Sequence, residues 1–255
     1  MPRFSIIVPT RDRPDLLRQL LWTLRQTTWR PFEVILVDND TRDAEARQIL
    51  ARTPHRVVRA PIPFNYARLV NMGAAVARGE ILLLTNNDLE VVQPSWLDHM
   101  VGALSAPGVG AVGALLRYPD GTVQHAGVAL QGGVPAHVLR GVDPDENTLA
   151  RTARDCLAVT AACMAVRRET FCRVDGFDPL FGSDYNDIDF CLRLRREGLA
   201  ARYVPQAELI HHESVTRGTE TTAEGAADWF MFRTRWAGLL AAPDPYWSTE
   251  PISAA

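Results

Sequence analysis

Apolar residues along the first third of the chain fall in short runs, each followed by a stretch in which they recur at helical spacing. Phe4 to Val8 is such a run, closed by Pro9, and Asp15 to Gln26 then carries Leu16, Leu17, Leu20, Leu21 and Leu24 on one helical stripe. Val34 to Val37 predicts a second buried strand ending at Asp38, and Ala44 to Arg52 a second helix. Tyr66 to Ala77 predicts a third helix, with Gly79 placed to stop it in the left-handed conformation. Ile81 to Leu84 predicts a further strand that closes on Thr85, Asn86, Asn87 and Asp88.

Continuously apolar strands alternating with amphipathic helices indicate an α/β fold whose mostly parallel sheet is covered on both faces. Ligands of such sheets bind beyond the carboxyl ends of the strands. Three polar clusters fall there: Pro9 to Asp12, Asp38 to Asp40, and Asn86 to Asp88. From Pro107 to Asp145 glycine and proline punctuate shorter segments, which predicts a mixed-sheet, loop-rich second half. Order is expected to return at Val159 to Val166, followed by a helix from Arg168 to Val174, a helix beginning near Asp187 and a strand from Ala201 to Val204.

Length and composition narrow the class without naming a chemistry. A chain of 255 residues fits one large α/β domain. Apolar residues at 47% and charged residues at 22% describe a globular protein rather than a disordered or fibrous one. Arginine takes the place of lysine throughout, for the most part scattered singly, and the net charge is -3, which argues against a nucleic-acid partner. Cys156, Cys163, Cys172 and Cys191 form no CxxC pair and read as reduced core residues. With no apolar run near the ~20 residues that span a bilayer, and too short an apolar start for a signal peptide, the expected location is cytoplasmic.

Six blocks carry a resemblance: SIIVPTRDRPDLL, FEVILVDND, NYARLVNMGAAVARGEILLLTNNDLEV, TAACMAVRRETF, GFDPLFGSDYNDIDFCLRLRREG and YVPQAELIHHES, in order between Ser5 and Ser214. Together they resemble the family 2 glycosyltransferases of the GT-A fold, and more narrowly bacterial members that extend surface polysaccharides, such as rhamnosyltransferases. The resemblance implies one GT-A domain over residues 1–242, with a nucleotide-binding half at 1–106, an acceptor and catalytic half at 107–242, and an irregular tail at 243–255. It implies an inverting hexosyltransferase that uses Mn2+ or Mg2+ and takes a UDP- or dTDP-linked donor, with rhamnose on dTDP as the first guess. The acceptor it implies is a glycan or a lipid-linked glycan. The chain departs from the family pattern at Arg11 and Asp12 after the Pro-Thr pair, at Asn186 where a Glu is usual, and in a metal motif reduced to Asn86, Asn87 and Asp88.

Glycosyl transfer needs the charge of the leaving diphosphate neutralised, the donor held, and a base for the acceptor hydroxyl. Hard divalent cations take oxygen ligands and keep positions open for phosphate, so Asp88 at a strand end is the natural ligand; otherwise it caps the following turn. Asn87 offers only a neutral carbonyl or a supporting hydrogen bond. His211 matches the family's second ligand position, and on extended chain His212 must face the opposite side; the bland alternative is a pair of ordinary loop histidines. Asp38 is placed to accept from the base or ribose, with Pro9, Thr10 and Arg11 lining the base and Asn86 beside the donor. Asp40 is a candidate helix cap. Arg68 and Asn71, three apart, either point together toward the nucleotide or form a solvated face with a packing Asn. Arg217, beside Gly218, is a candidate clamp on the diphosphate.

Asp187 falls in the first turn of its helix, where the helix dipole favours a negative charge, and is the candidate general base. Attack from the side opposite the leaving group inverts the anomeric centre. Asp184 competes as a cap or acceptor contact, and Asp189, two residues on, should point elsewhere. Gln124, His125, His137 and Trp229 are candidate sugar contacts. The segment Asp228 to Trp236 either packs onto the domain or makes a peripheral contact with the inner face of a membrane. Two other functions stay open. A sugar-phosphate nucleotidyltransferase needs a glycine-rich loop after the first strand, which PTRDRPDLL lacks; a non-catalytic nucleotide-sugar module is compatible with the asparagines.

Overall fold

A computed structural model describes residues 1–212 and 223–247. The first half alternates β1 (Phe4–Thr10), α1 (Pro14–Thr23), β2 (Phe32–Asp38), α2 (Ala44–Arg52), β3 (Arg56–Arg59), α3 (Tyr66–Val76) and β4 (Ile81–Thr85). There follow β5 (Leu89–Val91), α4 (Trp96–Leu104), β6 (Val109–Arg117), β7 (Val123–His125), β8 (Val128–Gln131), β9 (Val134–His137) and β10 (Arg154–Cys156). The remainder is β11 (Cys163–Arg167), α5 (Arg168–Arg173), α6 (Asn186–Arg196), β12 (Ala200–His211), α7 (Ala223–Arg235) and α8 (Ala237–Leu240).

One sheet runs in the order β10-β12-β6-β11-β4-β1-β2-β3, with β5 on β12 and β7 on β6. Along the main path four of the seven pairings are parallel, which makes the sheet mixed and mostly parallel. Side chains alternate across each strand. Ile7, Ile35, Val37 and Leu84 pack on one face with Val70 of α3 and Phe190 of α6. Phe4, Ile6, Val8 and Leu36 pack on the other with Leu17 and Leu20 of α1 and Trp96 and Met100 of α4. Each fully buried Ile or Leu contributes roughly 1.5 to 3 kcal/mol of transfer free energy. Both cores draw on both halves of the chain, so the halves share a single packed body.

Several local expectations need correction. The third helix ends at Val76 with Ala77 extended, and Gly79 is not left-handed. Gly79 is there because β1 passes against it: a Cβ would lie 2.6 Å from Ser5 N and 2.7 Å from Arg3 O. Asp40 does not cap α2; it sits in left-handed backbone, φ 58°, and Asp43 caps by accepting from Ala46 N at 2.8 Å. The stretch from Pro107 onward contains the nine-residue β6, buried at all but its last position. Its glycines are sites of close approach rather than breakers, since a Cβ on Gly113 would lie 2.5 Å from Val159 Cβ. The last strand runs past Pro205 to His211, with a register shift between Val204 and Glu208 that absorbs the proline.

Cys156, Cys163 and Cys191 are free and buried as expected, whereas Cys172 is exposed on α5. Residues 243–247 have no regular structure but are tied down, with Leu130 N donating to Asp244 Oδ2 at 2.7 Å and Arg154 stacked over Trp247. Among the described residues no helix is long and apolar enough to cross a membrane.

Candidate active site

β4, β1 and β2 are neighbours in the sheet and end at the same edge, so the three polar clusters come together there. Thr10 links them: its carbonyl accepts from Asn39 N at 2.9 Å and its hydroxyl from Asn87 Nδ2 at 3.2 Å. Pro9 and Thr10 are buried and Arg11 is exposed. Asp12, read only as a departure from the family pattern, braces the next loop instead. Its carboxylate accepts from Arg42 N at 2.7 Å and Asp43 N at 2.8 Å, and these bonds hold its pKa below the ordinary value. Asp38 is buried and accepts from Thr41 N at 2.9 Å and from the Arg59 guanidinium. Asp38 is therefore one half of an ion pair with Arg59 rather than a lone carboxylate.

Asp88 and His211 meet because β5, directly after the Asn86–Asp88 turn, pairs antiparallel with the end of β12, His211 opposite Leu89. His211 Nε2 lies 3.1 Å from Asp88 Oδ1. That contact is within ion-pair range but lacks hydrogen-bond alignment, so Asp88 Oδ1 is buried without a hydrogen-bond partner. Burial raises the pKa of Asp88, and His211 beside it more than offsets this, leaving the carboxyl below its ordinary value. His212 points the other way, to Glu90 at 3.3 Å and Gln19 at 3.4 Å. An orphaned carboxylate oxygen beside an imidazole nitrogen fits a hard divalent cation whose other positions are filled by phosphate and water. Among the described residues no group of three or more His, Cys, Asp or Glu is arranged to hold a metal, and Asp88 and His211 are the pair of such side chains that meet here.

Asp187 lies in the first turn of α6, half-buried, behind Tyr185, which turns the chain in left-handed backbone, φ 60°. Its Oδ2 accepts from Ala161 N at 3.0 Å and its Oδ1 from Ile188 N at 2.8 Å. The next residue of that loop reaches the other half of the site, since Ala162 O accepts from Asn86 N at 3.1 Å. Tyr66 steadies the same loop, its hydroxyl donating to Ala161 O at 3.0 Å. The loop from Thr160 to Ala162 thus joins the Asn86–Asp88 turn to Asp187.

Other candidates lie elsewhere or are occupied. Asn71 does not face a nucleotide with Arg68: its amide grips the backbone of Phe177, donating to O at 2.7 Å and accepting from N at 3.0 Å, while Arg68 is exposed. Asp184 does not cap α6; that position is Tyr185, and the backbone N–H groups of Ser183 and Asp184 donate to Asp228 at 2.9 Å each. His125 is fully buried, 2.9 Å from His137 through their Nδ1 atoms, and Thr160 N points at its Nε2. Burial, with His137 and Arg154 adding repulsion, pushes its pKa well below the ordinary value, so it is a neutral interior group rather than a sugar contact. Trp229 stacks in a cluster with Tyr185 and Phe232, and α7 and the residue after it pack onto the domain through Phe232 and Trp236, leaving Phe230 62% exposed. Asp189 is buried among Arg193, Arg235 and Trp236. Arg217 lies outside the described residues.

Arg13 was passed over in the sequence. It pairs with Asp15 at 2.6 Å at the start of α1 and lies near enough to Asp88 to interact with its charge. Its position between Asp12 and Pro14, at a strand end, was the available signal.

Comparison with known proteins places this geometry. The family model described as glycosyl transferase family 2 matches residues 5–173. The O-antigen biosynthesis protein RfbC of Myxococcus xanthus is 41% identical over 256 residues, covering 97% of this chain and 20% of that protein. The N-acetylglucosaminyl-diphospho-decaprenol L-rhamnosyltransferase of Mycobacterium tuberculosis is 29% identical over 248 residues, covering 87% of this chain and 80% of that protein. The chain therefore spans about a fifth of the first relative's length and most of the second's. Among solved structures, the mannosyltransferase PcManGT from Pyrobaculum calidifontis, in complex with GDP-Man and Mn2+, superposes with a TM-score of 0.65 at 20% identity, covering 85% of this chain and 58% of that one. GalNAc-T7 with UDP, GalNAc and Mn2+ gives a TM-score of 0.74 at 16% identity, covering 92% of this chain and 48% of that one. Both likenesses support the GT-A fold, and the family match spans the β1, β2 and β4 strand ends, Asp88 and the Thr160–Ala162 loop, ending ahead of Asp187 and His211: the chain belongs to glycosyl transferase family 2.

Proposed function

We propose that this chain transfers a sugar from a UDP- or dTDP-linked donor, with dTDP-rhamnose foremost, to a hydroxyl of a glycan or lipid-linked acceptor, inverting the anomeric centre. The setting is synthesis of a bacterial surface polysaccharide. The names of the O-antigen and rhamnosyltransferase relatives support the donor and the setting. The observation that carries the reading is the Thr160–Ala162 loop, which ties Asp187 to the turn bearing Asp88.

In this mechanism Asp88 and His211 would hold a Mn2+ or Mg2+ ion, which when bound supplies the positive charge that a leaving diphosphate needs. Thr10, Asn86 and Asn87 line the donor end, and Asp38 with Arg59 meets the base or ribose. Asp187 keeps a free lone pair on each oxygen beyond the two N–H bonds it accepts, and takes the acceptor proton as that hydroxyl attacks. The acceptor enters on the side of α6 and the Tyr185–Trp229 stack.

Calorimetry with UDP and dTDP, with and without Mn2+, paired with a donor-turnover assay, tests this. Wild-type protein is expected to bind nucleotide more tightly with Mn2+, and Asp88→Ala to erase that gain. An identical Mn2+ titration in the variant would remove Asp88 from the metal site. Metal-dependent binding without turnover on any acceptor would favour the non-catalytic module.

A further inference from the structure

We propose that Gln124 is a positioning residue for the metal site, fixing the proton of His211 on Nδ1 so that the Nε2 lone pair is presented beside Asp88. This inference rests on the metal-binding reading above and deepens it.

Gln124 lies on β7, which reaches β12 only across β6: Leu116 pairs with His125 on one side and with Leu209 on the other. Its side chain is 4% exposed, and its Oε1 lies 3.2 Å from His211 Nδ1. A neutral imidazole has one N–H and one lone pair, and the group facing each nitrogen decides which is which. An amide oxygen is only an acceptor, so it draws the proton to Nδ1. Nε2 is then the nitrogen turned toward the buried Asp88 Oδ1, 3.1 Å away, and a cation that displaces any proton held between them meets a lone pair on each atom. Two lone-pair donors converging in a buried place form a corner for a divalent cation.

The identity of residue 124 adds a second consequence. Metal-bound histidines commonly rest on a carboxylate, which makes the imidazole more basic and adds a negative charge. A neutral amide gives the same orientation without that charge. More of the cation's charge is thereby left for the diphosphate.

Mn2+ affinity measured by electron paramagnetic resonance of the free ion, without nucleotide and then with UDP or dTDP, tests the proposal. Gln124→Leu, nearly equal in size, is expected to weaken Mn2+ binding by about tenfold to a hundredfold, the usual cost of losing an outer partner of a metal ligand. Gln124→Glu restores the acceptor. It is expected to bind Mn2+ more tightly than wild type in the absence of nucleotide, and to gain less from adding nucleotide. A purely structural role would not produce that opposition, and because Gln124→Glu is isosteric the test stands even if the leucine variant fails to fold. Wild-type Mn2+ affinity in Gln124→Glu, or in a folded Gln124→Leu, overturns the proposal. If Asp88→Ala and His211→Ala also bind Mn2+ as wild type does, the metal reading itself has failed; if they lose binding while the Gln124 variants do not, only the role of Gln124 has.

Discussion

Asp187→Asn is expected to slow transfer by roughly 10²- to 10⁴-fold, the range usual for loss of a general base, with nucleotide affinity changed no more than a few-fold. The amide is nearly isosteric and can still accept from Ala161 N with its oxygen, so the tie to the loop survives. Its NH2 group then faces Ile188 N, a mismatch that costs about 1 kcal/mol at a half-buried position. What disappears is the ability to take a proton. Single-turnover rates and UDP titrations of the same preparation separate the two quantities. Wild-type-like transfer by the variant would remove Asp187 from the base role.

Two residues further along the same helix, Asp189→Ala is expected to act on stability instead. Asp189 is 0% exposed and accepts from Arg193 Nε at 2.8 Å, Arg235 Nη1 at 3.0 Å and Trp236 Nε1 at 3.0 Å. Truncation strands Arg193 Nε and Trp236 Nε1, leaves Arg235 Nη1 with Asp178 alone at 2.7 Å, and weakens the tie between α6 and α7. Removing one partner of a buried ion pair costs about 3 to 5 kcal/mol, and the lower end applies because both arginines keep some contact with solvent. For a domain of this size that is a fall of roughly 6 to 12 °C in Tm. Thermal denaturation measures it, and a Tm within about 2 °C of wild type would show that Asp189 does not hold the helices together. The pair of variants puts one carboxylate to a kinetic test and its near neighbour to a thermodynamic one.

The sequence made the ends of β1, β2 and β4 legible because those strands are largely apolar and stop abruptly at polar residues, Thr10 and Arg11, Asp38, and Thr85 and Asn86. It also placed His211 and His212 on opposite sides, since adjacent residues of a strand must diverge. It could not show what lay far along the chain. Asn71 reads either as a nucleotide contact or as a packing Asn, and the sequence does not say what it packs on, because its partner Phe177 is brought to it only by the fold. His125 looks like an exposed polar residue in QHAG until β7 is found beneath a second hairpin, where only a neutral imidazole is tolerated. β3 was missed because Arg56 and Arg59 bracket just two apolar residues, the pattern of an edge strand. Pro205 concealed the length of β12, because a proline argues against a central strand unless a bulge takes it up.

The loop that joins Asp187 to Asn86 does so with main-chain atoms, an N–H of one residue and a C=O of the next. Covalent bond lengths and planar amides therefore cap the spacing between the two anchor points at roughly 7 Å, the reach of two extended residues. Moving the start of α6 away from the Asn86–Asp88 turn by more than that reach would require breaking a hydrogen bond at one end of the tether or the other.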